Sequence, residues 1–230
     1  MKRSLVFIIL IIFFACANEA LAVSFTVAGL RVEKKNVKSM KEIKAANIVH
    51  QSLDFSCGAA GISTLLSNYL DHPISEQEII STILQHVSIE KVKARRGFSL
   101  LDLKNFVESR GLKATGYQMD FDFLRGLGKP VLVPIVFKKY RHFVIVKAVL
   151  GDRVFLADPA IGNVTMKTNQ FASIWLDGIG LVIEDPNAKE PTDHRSLVSA
   201  KEALFADYKN VVRTAQQNVY RTGVYPNEYK

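Results

Sequence analysis

The chain has 230 residues, 48% of them hydrophobic, with 30 basic and 22 acidic side chains and a net charge of +8 at pH 7. That length allows one domain with a sizeable core, or one domain and an appendage. The positive charge favours acidic partners, cell-wall polymers or anionic membranes, but no basic patch interleaved with aromatics accompanies it, so nucleic acid is excluded as a partner. No phosphate loop and no metal-ligand spacing occurs, so no cofactor and no metal is expected.

Residues 1–22 open with Lys2 and Arg3, run apolar from Leu5 to Ala17 and end in Ala20-Leu21-Ala22. Charge, apolar run and small-x-small ending describe a secretory signal cut after Ala22, with a run too short for a comfortable membrane span. The rivals are a lipoprotein signal acylated at Cys16, which Phe13-Phe14-Ala15 fits poorly, and an uncleaved anchor. Cleavage leaves a periplasmic or secreted protein of 208 residues with net charge +7. Segment 23–45 forms an N-terminal strand and arm: Val23 to Val32 alternates and reads as one strand interrupted by Gly29, and residues 33–45 are a charged link.

The main domain is expected over 46–185. Apolar residues at 59, 62, 65, 66, 69 and 70 make a helical stripe that starts at Cys57. Residues 74–87 read as a second helix, with Ser75 as N-cap and Glu78 closing a capping box. Residues 99–112 read as a third, boxed by Ser99 and Asp102 and ended by Gly111. The period then changes. Residues 130–137, 142–150, 153–159 and 180–184 are apolar β runs, with Gly151-Asp152 as a tight turn between the second and third. Helices followed by strands predict an α+β domain with an antiparallel sheet. Residues 186–195 are polar with two prolines and form a linker. Residues 196–230 carry apolar side chains at 197, 204, 208, 211, 215 and 219, an amphipathic helix with a tail that either packs back on the domain or binds a partner.

Two cysteines are present, Cys16 and Cys57. After signal cleavage Cys57 stands alone, so it is either a buried small hydrophobe or a reactive thiol. It opens a helix, where unpaired backbone N–H groups favour negative charge. Gly58, Ala59, Ala60 and Gly61 follow it; two glycines weaken the helix and point to close approach of substrate or strand. A thiolate nucleophile needs a base. Of the five histidines, His72 lies in a turn, His194 in the linker, His86 in the second helix and His50 before Gln51, whereas His142 starts an apolar strand. Asp158 ends the next strand sixteen residues on, and the hairpin brings both to one end of the ribbon. Asp158 then orients the ring while the other nitrogen faces sulfur. Asp158 in "ADPAIG" reads equally well as a turn cap. Gln51 carries an amide donor that, with the Cys57 backbone N–H, suits a tetrahedral oxyanion.

Gln51, Cys57, His142 and Asp158, with segments "QSLDFSCGAAGISTLL", "GFSLLDLKNFV", "KPVLVPI" and "RHFVIVKAV...RVFLADPAIG", resemble the bacteriocin-processing peptidases, papain-like cysteine peptidases that remove double-glycine leaders. The likeness runs from Ala46 to Ile183. It implies a papain-like fold and the roles of oxyanion donor, nucleophile, base and orienter for the four residues in that order. Family members usually sit on a membrane transporter with an ATPase; this chain resembles more the stand-alone members encoded beside functional-amyloid export genes. The resemblance implies an exported cysteine peptidase that cleaves a secreted protein or peptide, after a small-residue leader motif, in support of a secretion system whose component the C-terminal helix binds. The alternatives are a peptidoglycan amidase and a non-catalytic, chaperone-like peptide-binding domain.

Overall fold

The computed structural model describes residues 24–27, 30–33, 39–137, 140–188 and 198. Residues 1–23 with the expected signal and Cys16, residues 189–195 of the expected linker, and the expected C-terminal helix apart from Val198 lie outside them. The chain divides into two units, Met1–Ser39 and Met40–Lys230.

In the first unit, β1 (Ser24–Val27) and β2 (Leu30–Glu33) pair antiparallel with Val27 opposite Leu30. The single strand expected over Val23 to Val32 is therefore two. A lone ten-residue strand would leave its backbone N–H and C=O groups without strand partners, and doubling back pairs them.

The second unit begins with α1 (Met40–Ala45), α2 (Cys57–Tyr69), α3 (Glu76–Leu84), α4 (Ile89–Arg95) and α5 (Leu100–Ser109). There follow β3 (Lys113–Gln118), α6 (Phe121–Leu127), β4 (Val131–Phe137), β5 (Tyr140–Leu150), β6 (Arg153–Asp158), β7 (Gly162–Lys167), α7 (Thr168–Ala172) and β8 (Ile179–Glu184). The α+β order stands, with more elements than the sequence showed.

Local signals placed the helix starts well. The Ser99–Asp102 box is complete, each side chain bonding the other's backbone N–H. Ser75 caps α3 by accepting from the Glu78 N–H, but the box stays half closed, because the Glu78 carboxylate lies 3.5 Å from Arg110 Nη1. Residues 40–45, expected as a link, form α1. A one-turn helix cannot hold itself; Asn163 Nδ2 donates to the carbonyls of Ile43, Lys44 and Ala46 at 3.2, 3.3 and 2.9 Å. Gly162, at φ +91°, lets β7 come that close, since a Cβ there would run into the Lys44 carbonyl oxygen.

The six-stranded sheet runs β3-β8-β4-β5-β6-β7, every neighbour antiparallel. Its inner strands β8, β4, β5 and β6 are buried on both faces. Leu132, Ile145, Ala157, Leu181 and Ile183 join Ile62, Leu65, Ile79, Leu103 and Phe106 from α2, α3 and α5 in one core. Their neighbours Val131, Val133, Val144, Val146, Leu156 and Val182 join Leu124 and Phe171 in a second. Burial of both faces is why these strands read as continuous apolar runs. On the face of β6 that carries Ala157, Val198 is buried against Phe155.

Candidate active site

Cys57 is the first residue of α2 and is buried, 4% exposed. Of the two reasons expected for the glycines after it, approach of substrate or of a strand, the strand is seen, and a helix joins it: a Cβ at Gly58 would lie 2.7 Å from Leu103 Cδ1 and 3.2 Å from Phe143, and one at Gly61 2.7 Å from Leu132 Cδ1. The start of α2 is thus pressed against α5 and the sheet. Ser56 occupies the N-cap position but makes no side-chain cap bond. Its hydroxyl instead donates to the Leu53 carbonyl at 2.8 Å and accepts from the Leu53 N–H at 3.1 Å. The first N–H groups of α2 therefore receive no side-chain cap, a positive end for any anion formed at the sulfur or beside it.

His142 lies near the start of β5 and Asp158 at the end of β6, both buried. Register decides whether they meet. From the Gly151-Asp152 turn, Leu150 opposes Arg153, Val149 opposes Val154 and Ala148 opposes Phe155; then Val146 opposes Leu156, so Lys147 is the extra residue of a β-bulge. Continuing the shifted register sets Asp158 across from Val144, on the same face as His142. Unshifted, it would set Asp158 across from Ile145, on the opposite face. Lys147 is itself buried, with Nζ 2.7 Å from Asn163 Oδ1.

His142 Nε2 lies 2.8 Å from Asp158 Oδ1. An ionised carboxylate only accepts, so Nε2 carries the hydrogen and Nδ1 is left for another partner. The same Oδ1 accepts from the Ala160 N–H at 2.8 Å. The turn-capping and orienting readings of Asp158 are thus one arrangement, in which the turn holds the carboxylate still. His142 Nδ1 is buried with no hydrogen-bond partner among the described residues, yet the Cys57 sulfur is near enough to act on the ring electrostatically. Burial alone would push the His142 pKa down. The hydrogen bond to Asp158, the interaction with Cys57 and the charges of both reverse that and raise it from 6.5 to about 9. At neutral pH the imidazole holds its proton.

Gln51 sits in the loop before α2. Its backbone N–H donates to the Pro159 carbonyl at 3.0 Å, which fastens this loop to the turn after Asp158. Its Nε2 donates to the Leu53 carbonyl at 2.9 Å, leaving the second amide hydrogen uncommitted, while Oε1 is buried without a hydrogen-bond partner. The structure therefore brings Cys57, His142 and Asp158 to one end of the sheet, with the Gln51 backbone tied to the same end.

Tyr140 was not singled out from the sequence. Its hydroxyl donates to the Asp54 carbonyl at 2.6 Å, and its ring centroid lies 6.1 Å from that of His142. Its pKa is raised by burial and then by the charges of Cys57 and Asp54. The signal was available: Tyr140 is two residues before His142 on one strand, so it shares its face. Among the described residues no group of three or more His, Cys, Asp or Glu side chains could hold a metal ion, and no helix is long and apolar enough to cross a membrane.

Known proteins share this architecture. The chain is 38% identical over 141 residues to the "Probable functional amyloid protease FapD" of Pseudomonas aeruginosa, covering 61% of this chain and 62% of that one. Against the protein of the same name from Pseudomonas fluorescens the identity is 35% over 155 residues, covering 67% and 68%. The chain thus spans about two thirds of the length of these relatives. Among solved structures, a double glycine motif protease from an AMS/PCAT transporter, crystallised in complex with the leader peptide, superposes with a TM-score of 0.50 at 25% identity, covering 60% of this chain and 89% of that one. The peptidase domain of Streptococcus ComA gives 0.51 at 18% identity, covering 60% and 96%, a likeness of fold. The fold is the papain-like one, Cys on a helix and His on a sheet. Residues 45–188 match the Peptidase C39 family, and the chain belongs to that family of cysteine peptidases.

Proposed function

We propose that the whole protein is an exported cysteine peptidase that cuts a peptide or protein substrate of a secretion system. The observation that carries this is the His142–Asp158 pair, with Nδ1 left free of the carboxylate, and Cys57, which acts on the ring, at a helix start without a side-chain cap. With its proton on His142 Nδ1, the Cys57 thiolate attacks the scissile carbonyl carbon, and the carbonyl electron pair moves to oxygen. Gln51 Nε2 and the Cys57 backbone N–H stabilise that oxyanion. The C–N bond breaks as His142 gives its Nδ1 proton to the leaving amine, and a thioester remains. His142 then takes a proton from water, hydroxide attacks the thioester, and the sulfur leaves. Asp158 keeps the ring in the required orientation and stabilises its charged form.

Export rests on the pattern of residues 1–22 and places the enzyme in the periplasm or outside the cell, with a mature N-terminus at Val23. Similarity to the two Pseudomonas amyloid proteases supports a substrate in amyloid secretion, and the double glycine motif protease supports cleavage after small residues. Residues 196–230, expected as an amphipathic helix, are our candidate for contact with a secretion component.

The test uses an epoxysuccinyl inhibitor and a fluorogenic peptide ending in Gly-Gly-aminomethylcoumarin. The inhibitor should label Cys57 and require His142. Cys57→Ala and His142→Ala should each lower turnover by on the order of a thousandfold or more with folding intact, and the double variant should lose no more, because the two act as a unit. Turnover above a tenth of wild type in Cys57→Ala would refute the nucleophile. Mass spectrometry of the exported protein should find Val23 first; a diacylglycerol on Cys16 would refute cleavage after Ala22.

A further inference from the structure

Glu76 is an acidic side chain that the mechanism does not use. It is the first residue of α3 and is 2% exposed. An acid in the first turn suits the helix dipole, but Glu78 meets that preference from an exposed position, so the dipole does not require a buried one. No lysine, arginine or histidine among the described residues pairs with Glu76. Its carboxylate is spent on one backbone group: the Ser52 N–H donates to Oε1 at 3.0 Å and to Oε2 at 3.1 Å. Burying a carboxylate without a cation is unfavourable, and an aliphatic side chain of similar size would fill the site at lower cost.

The place of that hydrogen bond suggests its use. The peptide group before Gln51 is held by the Pro159 carbonyl through the Gln51 N–H. The peptide group after it is held by Glu76 through the Ser52 N–H. Each flanking peptide plane is thus tied to a different element, the turn after β6 and the start of α3. Both backbone dihedrals of Gln51 are fixed, and its side chain leaves from a fixed Cα. Without Glu76 the second plane can rotate about the Gln51 Cα–C bond, and the amide swings with the loop.

We infer that Glu76 is a positioning residue for the oxyanion donor: its buried carboxylate clamps the Ser52 N–H and so aims the Gln51 amide at the reacting carbonyl. This rests on the reading of Cys57 as nucleophile and Gln51 as donor. A misplacement of about 1 Å at a reacting group can cost on the order of a hundredfold in rate, so the loss is bounded by that of removing the Gln51 amide itself.

The experiment follows hydrolysis of the p-nitrophenyl ester of N-benzyloxycarbonylglycine, an activated ester that forms the same oxyanion, with kcat expressed per Cys57 thiol titratable by iodoacetamide. Glu76→Ala should lower kcat about 10- to 100-fold while KM and the alkylation rate of Cys57 stay near wild type. Glu76→Gln keeps one acceptor oxygen and should recover most of the loss. In a Gln51→Ala background, Glu76→Ala should cost nothing further, because no amide remains to aim. Unchanged kcat in Glu76→Ala, or an equal loss with and without Gln51, would overturn the inference. So would a loss that vanishes once activity is expressed per titratable thiol, since Glu76 would then serve stability alone. If Glu76→Ala does not fold, Glu76→Asp, which draws the carboxylate back by one methylene, replaces it with the same expectations. Failure of the underlying reading looks different: Gln51→Ala turns over as wild type does, or wild type is no faster than Cys57→Ala, and the inference then falls with it.

Discussion

The site is assembled from two regions held in different ways. The β5–β6 ribbon carries His142 and Asp158 between two cores, and its register is fixed by Ile145, Val146, Leu156 and Ala157, all buried. The loop from Gln51 to Ser56 is mostly exposed or half-buried. It is held by separate polar bonds to Pro159, Glu76 and Tyr140, and by Ser56 closing on Leu53. A register is all or none, because a slip by one residue moves every side chain to the other face. A set of single hydrogen bonds is graded, each contributing on the order of 1 kcal/mol. The base and its orienter stand on the part that cannot drift, and the donor that matters only once the oxyanion exists stands on the part that can be tuned.

The largest effect should come from the ribbon. Asp158→Ala removes the carboxylate that does most to hold the His142 pKa at about 9. Turnover should fall on the order of 100- to 1000-fold, and the high-pH limb of kcat/KM should move from near 9 to lower pH. Stability follows the same sign. A histidine raised in the folded state contributes stability that is complete below its unfolded value near 6.5 and is lost as pH rises through about 9. The difference in Tm between wild type and Asp158→Ala should therefore shrink from pH 6.5 to 9.5. A constant difference across that range would mean that Asp158 acts through its Ala160 turn alone. The pH profile of Cys57 alkylation by iodoacetamide should also shift in this variant.

A middle effect should come from the loop. Gln51→Ala should lower kcat about 100-fold, with KM and the alkylation profile of Cys57 almost unmoved. If Gln51→Ala shifts that profile and Asp158→Ala does not, the division between ribbon and loop is drawn the wrong way round. The smallest effect should come from Tyr140→Phe, which removes only the bond to the Asp54 carbonyl. A stability loss of about 0.5–1.5 kcal/mol by denaturant unfolding and a fall in kcat of no more than about tenfold are expected, with alkylation of Cys57 unchanged. A fall as large as that of Asp158→Ala would make Tyr140 part of the chemistry rather than of the loop.

Much of this was readable from local chemistry. The Ser75 and Ser99 caps, the Gly151-Asp152 turn and the apolar runs of β4, β5, β6 and β8 each rest on residues close together in the chain, and the α+β order followed from them. The shorter pieces escaped. α4, α6 and α7 have seven, seven and five residues, too few for a clear period, and β3 and β7 are half-exposed strands whose pairing comes from β8 and β6. α1 was hidden because its partner, Asn163, is 117 to 120 residues away.

The spacing of Gln51, Cys57, His142 and Asp158 along the chain, and the hairpin that returns Asp158 toward His142, were properties of the sequence by itself. Which face of that hairpin each occupies was not. One extra residue, Lys147, decides it, and no local pattern marks which residue of a strand will form a bulge. Nor could the chain order show that Glu76, 24 residues from Ser52, would be buried against its amide, or that Ser56 would spend its hydroxyl on Leu53 and leave α2 without a side-chain cap. Propensities and caps act between neighbours, and the chain states them directly. Register and the partner of a buried polar group are settled only when distant segments pack, because the free energy that selects them is that of desolvated contacts no single segment can make.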